Sequence, residues 1–243
     1  MPVNRNANGR PVRRDSRSRN QSSNKSNDAL AGLAALGLIA ILAIAAFFLL
    51  RHPVDAPKMN LYVGADVTGS VGTGDRQKLF GILDETIDGI LPKGSEVKLW
   101  AYDVNAHAIS DKTPRKSEDL WPDEDQCIAH HQDVPGTLPA VVLREMAASS
   151  ESAQGKGENV GIVLLTDGED TDTNKKALQA VVTKISAMSN VKAVWFAGTS
   201  TENGFRSTLE RKLGPILGNR LVLSSNGDAQ DGLSKFRALL EKK

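Results

Sequence analysis

The chain has 243 residues, of which 40% are hydrophobic and 24% are charged, and its formal net charge at pH 7 is +1. This length accommodates one domain of ordinary size with an appended segment, and the composition is normal for a globular protein. The single cysteine, Cys127, excludes an internal disulfide.

The first 28 residues differ from the rest of the chain. They contain seven basic and two acidic residues among Asn and Ser, with almost no large apolar side chains. Such a segment cannot bury enough apolar surface to offset the entropy lost on ordering, so residues 1–28 are predicted to form a disordered tail. The tail carries +5, which leaves −4 for the remainder. This negative balance, without a basic stripe, argues against nucleic-acid binding by the folded part, whereas the tail suits anionic lipid head groups.

An apolar run without charges follows, from Ala29 to Leu50. At about 1.5 Å per residue, its roughly 22 positions span a hydrocarbon core of about 30 Å, so we predict a transmembrane helix over 29–50 and a linker over 51–58. A cleavable signal peptide is the alternative, but the run exceeds the usual apolar region of about 7–15 residues. Because more Lys and Arg precede the run than follow it closely, we predict a single-pass protein with a cytoplasmic N-terminus and an extracytoplasmic domain over 59–243.

Strand-like and helix-like segments alternate after the linker. Short apolar runs predict strands at Leu61–Ala65, Val97–Tyr102, Ala106–Ser110, Val160–Leu165, Val191–Phe196 and Leu221–Leu223. Apolar residues at helical spacing predict helices at Arg76–Leu91, Thr137–Ser149, Asn174–Met188, Phe205–Leu217 and Ala229–Leu240. The alternation predicts an α/β fold of the Rossmann-like kind, a doubly wound and mostly parallel sheet with helices on both faces. Residues Asp111–Pro135 show neither pattern and are predicted to form a long, acidic, irregular stretch.

Oxygen-bearing side chains follow two of the predicted strands. They alternate in Asp66-Val67-Thr68-Gly69-Ser70 after the first strand, and Thr166-Asp167-Gly168 ends a later one, while Gly136-Thr137 begins a predicted helix. Because open α/β folds bind ligands at the carboxyl ends of their strands, we expect these side chains to share one site. Carboxylates and hydroxyls without His or Cys suit a hard divalent cation such as Mg²⁺. The predicted metal ligands are Asp66, Thr68, Ser70, Thr137 and Asp167.

These motifs together resemble the metal-ion-dependent adhesion site of von Willebrand factor A-type domains, and the resemblance covers roughly residues 59–240. The family more often has Ser where this chain has Thr68, which retains the hydroxyl. The resemblance implies that the five predicted ligands hold Mg²⁺, or Mn²⁺ or Ca²⁺, directly or through water. It also implies that an Asp or Glu of a partner protein completes the coordination, and that the domain binds without catalysis.

The same residues are compatible with three alternative roles. Asp, Ser and Thr after strands often cap the next helix, and Thr137 would then be an N-cap. Asp-x-Thr-Gly-Ser also resembles the phosphorylated-aspartate motif of haloacid-dehalogenase-like phosphotransferases and P-type pumps, with Asp66 as the nucleophile and Asp167, Asp170 or Asp172 holding Mg²⁺. Against an enzyme, the second acidic residue usual in the soluble members is Thr68 here. The third possibility is a metal-free scaffold on the same fold.

The segment Cys127-Ile128-Ala129-His130-His131 invites comparison with zinc sites, with His107 as a possible fourth ligand. Adjacent imidazoles cannot easily face one ion, and the spacing fits no common zinc module. We therefore predict a solvated acidic loop that borders the adhesion-site face. Trp121, in the same stretch, is either a local anchor or a contact residue.

Overall fold

One six-stranded sheet organises the chain, in a computed structural model that describes residues 58–69, 71, 73–130, 136–167, 175–200 and 204–242. The strands are β1 Met59–Asp66, β2 Val97–Tyr102, β3 Ala106–Lys112, β4 Asn159–Leu165, β5 Val191–Ala197 and β6 Leu221–Ser224. Their order across the sheet is β3-β2-β1-β4-β5-β6. All neighbours pair in parallel except β3, which runs antiparallel to β2 at one edge. The predicted mostly parallel sheet is confirmed.

Helices cover both faces of the sheet. Those in the described ranges are α1 Thr73–Ile90, α2 Trp121–Ala129, α3 Pro139–Gly155, α4 Lys175–Ser186, α5 Phe205–Leu217 and α6 Ala229–Leu240, with 3₁₀ turns at Ser117–Asp119 and Gly218–Arg220. One apolar cluster joins α3, α4 and α5 to one face of the sheet. A second joins α1, α2 and α6 to the other face. The doubly wound arrangement predicted from the alternation of elements is therefore confirmed.

The central strand β1 is buried along its whole length. Leu61 and Val63 belong to the cluster on one face and Tyr62 to the cluster on the other, as the period-two geometry of a strand requires. At Gly64 a Cβ atom would lie 3.1 Å from the Met146 side chain, so the missing side chain lets α3 lie close to the sheet. The carboxyl end of this rigid strand is Asp66, the first predicted metal ligand.

The prediction of an irregular stretch over residues 111–135 is wrong for its central part, since the chain forms a 3₁₀ turn and then α2 there. Pro122 lies in the first turn of α2, where a missing N–H costs no hydrogen bond. The acidic residue Asp123 in the same turn interacts favourably with the positive end of the helix dipole. Cys127 is buried against the sheet. One short helix with so few apolar residues gives a weak periodic signal.

Acidic residues of α1 hold this helix in place. The Trp121 indole Nε1 donates to Asp84 Oδ2 at 3.1 Å, so Trp121 is a local anchor although it is 52% exposed. The backbone N–H and the hydroxyl of Ser117 each donate to the Asp88 carboxylate at 2.8 Å. Glu124 is buried close to the Asp84 carboxyl group. Burial, followed by the negative charge of Asp84, raises the pKa of Glu124 to about 8, so this carboxyl group is mostly protonated at neutral pH.

No helix within the described ranges combines the length and the apolar character that crossing a bilayer requires. The predicted tail (1–28), transmembrane helix (29–50) and all but the last residue of the predicted linker (51–58) lie outside those ranges.

The raised pKa of Glu124 makes α2 sensitive to pH. The folded pKa of Glu124 exceeds its unfolded value of 4.5, so its contribution to stability is complete below that pH and is lost as pH rises through about 8. Glu124→Gln keeps a donor for Asp84 but does not titrate. Between about pH 6 and pH 9, the free energy of unfolding of the wild type should fall by over about 1 kcal/mol more than that of the variant. Urea unfolding at each pH measures both. Glu145→Gln, at an exposed position of α3, is the matched control. Equal pH profiles for the two variants would contradict the raised pKa of Glu124.

Candidate metal centre

Asp66 is the centre of the predicted site and is only 1% exposed. Its Oδ1 accepts hydrogen bonds from the backbone N–H of Thr68 at 3.0 Å and from the Thr68 hydroxyl at 2.6 Å. Its Oδ2 accepts the hydroxyl of Thr166 at 2.8 Å. The bond from the carboxylate to the N–H two residues on is that of an Asx turn, which reverses the chain directly after β1. The end of β1 is thereby tied to the end of β4.

Thr137 joins this group from the segment before α3. Its Oγ1 lies 3.0 Å from Oγ1 of Thr68. Since the Thr68 hydroxyl donates to Asp66, Thr137 is the donor in this contact. The N-cap of α3 is Leu138, without a side-chain hydrogen bond, so the assignment of Thr137 as a helix cap is wrong. The Leu138 N–H donates to the carbonyl of Asp103 at 2.9 Å and fixes this segment beside the end of β2.

Asp167 approaches from the end of β4. Its carbonyl accepts the N–H of Ser200 at 2.8 Å, and its side chain is partly buried. Its negative charge is close enough to raise the pKa of Asp66. The structure thus brings together four of the five predicted ligands. Ser70, the fifth, lies outside the described residues, as do Asp170 and Asp172.

Two residues of the site were not recognised as such from the sequence. Thr166 is fully buried and bonded to Asp66, and its only signal was a hydroxyl beside Asp167 directly after a strand. Arg76 is 4% exposed and donates from Nη2 to the carbonyls of Thr68 at 3.0 Å and Val71 at 2.7 Å. In the sequence Arg76 is one of many charged residues at the start of a helix, where nothing marks it as buried.

The electrostatics of the site favour a cation. Burial raises the pKa of Asp66 to about 6, although hydrogen bonds from Thr68 and Thr166 oppose the shift, and the charge of Asp167 adds to it. The carboxylate is therefore ionised at neutral pH in a place where ionisation is costly. A bound cation would lower that cost, because an opposite charge nearby stabilises the charged form.

The donor set fits a hard divalent ion. The described donors are carboxylate and hydroxyl oxygens, which Mg²⁺ prefers. Adjacent oxygens around an octahedral ion with bonds of about 2.1 Å lie about 3.0 Å apart, which equals the 3.0 Å separation of the Thr68 and Thr137 hydroxyls. No three or more His, Cys, Asp and Glu side chains among the described residues gather as metal ligands. A metal here would therefore depend on the threonine hydroxyls.

The zinc alternative gains no support from the described residues. Cys127 is buried, and burial raises the pKa of its thiol to about 12, so it stays protonated. The rings of His107 and His130 lie 4.7 Å apart without a third ligand within the described ranges. The phosphotransfer alternative requires an accessible Asp66 oxygen, yet both oxygens accept hydrogen bonds in a buried site.

Comparison with solved structures identifies the fold. Proximal thread matrix protein 1 from the mussel byssus aligns with a TM-score of 0.57 at 16% identity, over 75% of this chain and 48% of that one. A von Willebrand factor type A protein from Catenulispora acidiphila aligns with a TM-score of 0.54 at 14% identity, over 77% and 44%. The manganese-loaded TRAP protein of Plasmodium vivax aligns with a TM-score of 0.54 at 14% identity, over 74% of each chain.

The described domain therefore has the fold of von Willebrand factor A-type domains. Another structure of the mussel protein, with a TM-score of 0.54 at 15% identity over 75% of this chain and 48% of that one, has a zinc-occupied MIDAS motif. This chain spans about half the length of the mussel protein, 48%. No protein-family model matches the sequence, and no curated protein matches it.

The buried Asp66 carboxylate makes the metal-free domain less stable as it ionises. Its folded pKa of about 6 exceeds the unfolded value of 3.8, so its contribution to stability is complete below the unfolded pKa and is lost as pH rises through about 6. Asp66→Asn cannot ionise and therefore avoids this loss. Between about pH 4 and pH 7 in EDTA, its free energy of unfolding should rise by about 2 kcal/mol relative to that of the wild type. Urea unfolding at each pH measures this. Asp231→Asn, an exposed substitution on α6, should follow the wild type. Parallel profiles for Asp66→Asn and the wild type would contradict the raised pKa.

Proposed function

We propose that the domain over residues 59–243 is a divalent-metal-dependent protein-binding module, used in adhesion or assembly and without catalysis. The observation that carries the proposal is the contact network of Asp66, Thr68 and Thr137, in which three side chains from two distant segments meet at the carboxyl end of the central strand. The solved structures of the same fold support it, because one holds manganese and another holds zinc in its MIDAS motif.

Asp66, Thr68, Ser70, Thr137 and Asp167 would hold the ion, with Mg²⁺ as the expected metal and Mn²⁺ or Ca²⁺ as alternatives. A bound ion with few anionic protein ligands keeps Lewis acidity for an incoming carboxylate. The two threonine hydroxyls supply neutral oxygens that leave this charge uncompensated, and Asp66 is oriented by Thr68 and Thr166. We infer that an Asp or Glu side chain of a partner protein completes the coordination.

We further propose that residues 29–50 hold this domain at a membrane as a single-pass helix with a cytoplasmic N-terminus. The uncharged apolar run and the excess of basic residues before it support this placement. The full chain should stay in the membrane pellet after extraction with alkaline carbonate, and a variant lacking residues 29–50 should be released. Release of the full chain under the same treatment would contradict the anchor.

Metal binding is expected to stabilise the purified full chain, because a ligand of the native state adds RT ln(1 + [L]/Kd), or about 2.7 kcal/mol at a hundredfold excess over Kd. Thermal unfolding in EDTA and across a Mg²⁺ titration should show a saturable rise in Tm. Thr137→Val preserves the side-chain shape but removes the hydroxyl, and it should abolish or strongly reduce the rise. Thr183→Val, which removes an exposed hydroxyl on α4, should respond as the wild type does. A rise of equal size in Thr137→Val would place the ion elsewhere.

The same variants test the partner chemistry. Random peptides displayed on phage, selected on the immobilised chain in Mg²⁺ and eluted with EDTA, should become enriched in Asp and Glu. The enrichment should be absent on Thr137→Val and present on Thr183→Val. Metal-dependent stabilisation with no acidic enrichment would support a metal site that does not bind carboxylates, and would leave the partner half of the proposal without support.

A further inference from the structure

Arg76 is a buried cation at the candidate metal centre. It lies in the first turn of α1 and is 4% exposed, an unusual degree of burial for an arginine. One of its nitrogens, Nη2, donates to the carbonyls of both Thr68 and Val71. These carbonyls lie on either side of residues 69 and 70 in the sequence. Arg76 therefore joins the two ends of the loop that contains the predicted metal ligand Ser70.

The charge of Arg76 acts on the same carboxylates as a bound metal would. Burial lowers the pKa of Arg76, and the negative charges of Asp66 and Asp167 oppose that shift. The geometry agrees with this for Asp66, because Thr68 joins the two groups: its carbonyl accepts from Arg76 Nη2 at 3.0 Å and its N–H donates to Asp66 Oδ1 at 3.0 Å. Since Arg remains protonated in proteins, this positive charge is present whether or not a metal is bound.

A charge count connects this trio to the partner. With both carboxylates ionised, Asp66, Asp167 and Arg76 together carry one net negative charge. A divalent cation would change this to one net positive charge, and a single carboxylate at the open coordination position would restore neutrality. Residual charge in a buried place is costly. The trio therefore favours binding of the cation together with an anionic ligand over binding of the cation alone.

We propose that Arg76 is a positioning residue that supplies, in the metal-free protein, the positive charge that a divalent ion supplies in the loaded protein. The inference rests on the proposed function, since it concerns the same site. Arg76 holds the carbonyls of Thr68 and Val71 together between cycles of binding, and its charge weakens the affinity for a free cation. A partner carboxylate offsets that loss.

The test compares two substitutions that separate charge from packing. Arg76→Met removes the charge with little change in length, whereas Arg76→Lys keeps the charge. In EDTA, Arg76→Met should unfold at a lower urea concentration than the wild type, and saturating Mg²⁺ should restore most of the difference. Its Kd for Mg²⁺, from the Tm titration, should be tighter on the order of tenfold. Arg76→Lys should keep the wild-type Kd within about twofold, because the charge remains.

Two further variants distinguish a charge effect from a simple loop clamp. Adding Asp66→Asn to Arg76→Met should recover stability in EDTA, since the uncompensated carboxylate is gone. Arg220→Met is the matched control, because Arg220 also donates to backbone carbonyls, those of Ser186, Met188 and Val191. Its loss of stability should be the same in EDTA and in Mg²⁺. Adding Asp66→Asn to Arg220→Met should give only the gain that Asp66→Asn gives alone, whereas the gain in Arg76→Met should be larger.

The outcomes separate this inference from the proposed function. If Arg76→Met behaves like Arg220→Met, or fails to fold in both EDTA and Mg²⁺, Arg76 is only a structural clamp and the inference is overturned. A normal Mg²⁺ response in the wild type with an unchanged Kd in Arg76→Met also overturns the inference alone. The absence of any Mg²⁺ response in the wild type overturns both.

Discussion

The burial of the Asp66 carboxylate determines the contacts at the carboxyl end of the central strand. Asp66 ends a strand that is covered on both faces, and its side chain is almost completely buried. An ionised group in that position must find compensation within the protein. Thr68 and Thr166 donate hydrogen bonds to its two oxygens, and Arg76 supplies a positive charge nearby. The Asx turn after β1 and the link between β1 and β4 both follow from satisfying this one group.

The order of the strands accounts for the meeting of distant segments there. The sequence runs outward from β1 through β2 to β3 on one side, then continues through β4, β5 and β6 on the other. The connections that follow β1 and β4 therefore run to opposite sides, and such a reversal of strand order is where open α/β folds bind ligands. Asp66 and Thr166 lie at the ends of these two strands and are joined by a hydrogen bond, and Thr137 contacts Thr68 from the segment before α3. Residues a hundred positions apart form one cluster because the order of the strands reverses at β1.

The fold was largely predictable because its elements carry strong local patterns. The bounds of α5 and α6 agree with the prediction, and β2 agrees as well, since each combines an apolar period with clear turn residues at its ends. The helix α2 was missed because its buried residues include Asp123 and Glu124, and no period analysis assigns carboxylates to the interior. Their burial depends on partners elsewhere in the chain, namely Lys112 for Asp123 and Asp84 for Glu124.

The candidate site was predictable only in part, for a related reason. Asp66, Thr68, Thr137 and Asp167 could be named because oxygen-bearing side chains directly after strands and before helices are visible in a sequence. Arg76 could not be named, because its role depends on the carbonyls of Thr68 and Val71, which accept its hydrogen bonds only in the folded chain. Whether a charged side chain faces water or the interior is decided by tertiary structure, which local patterns do not encode.

The two edge strands of the sheet limit self-association of the domain. Unpaired strand edges invite other chains to extend the sheet, and proteins resist this with short or charged edge strands. One border here is β6, only four residues long, and the other is β3, which contains His107, Asp111 and Lys112. Edges of this kind keep two copies of the domain from pairing edge to edge, so a high local concentration of the domain would not by itself extend the sheet from one copy to the next.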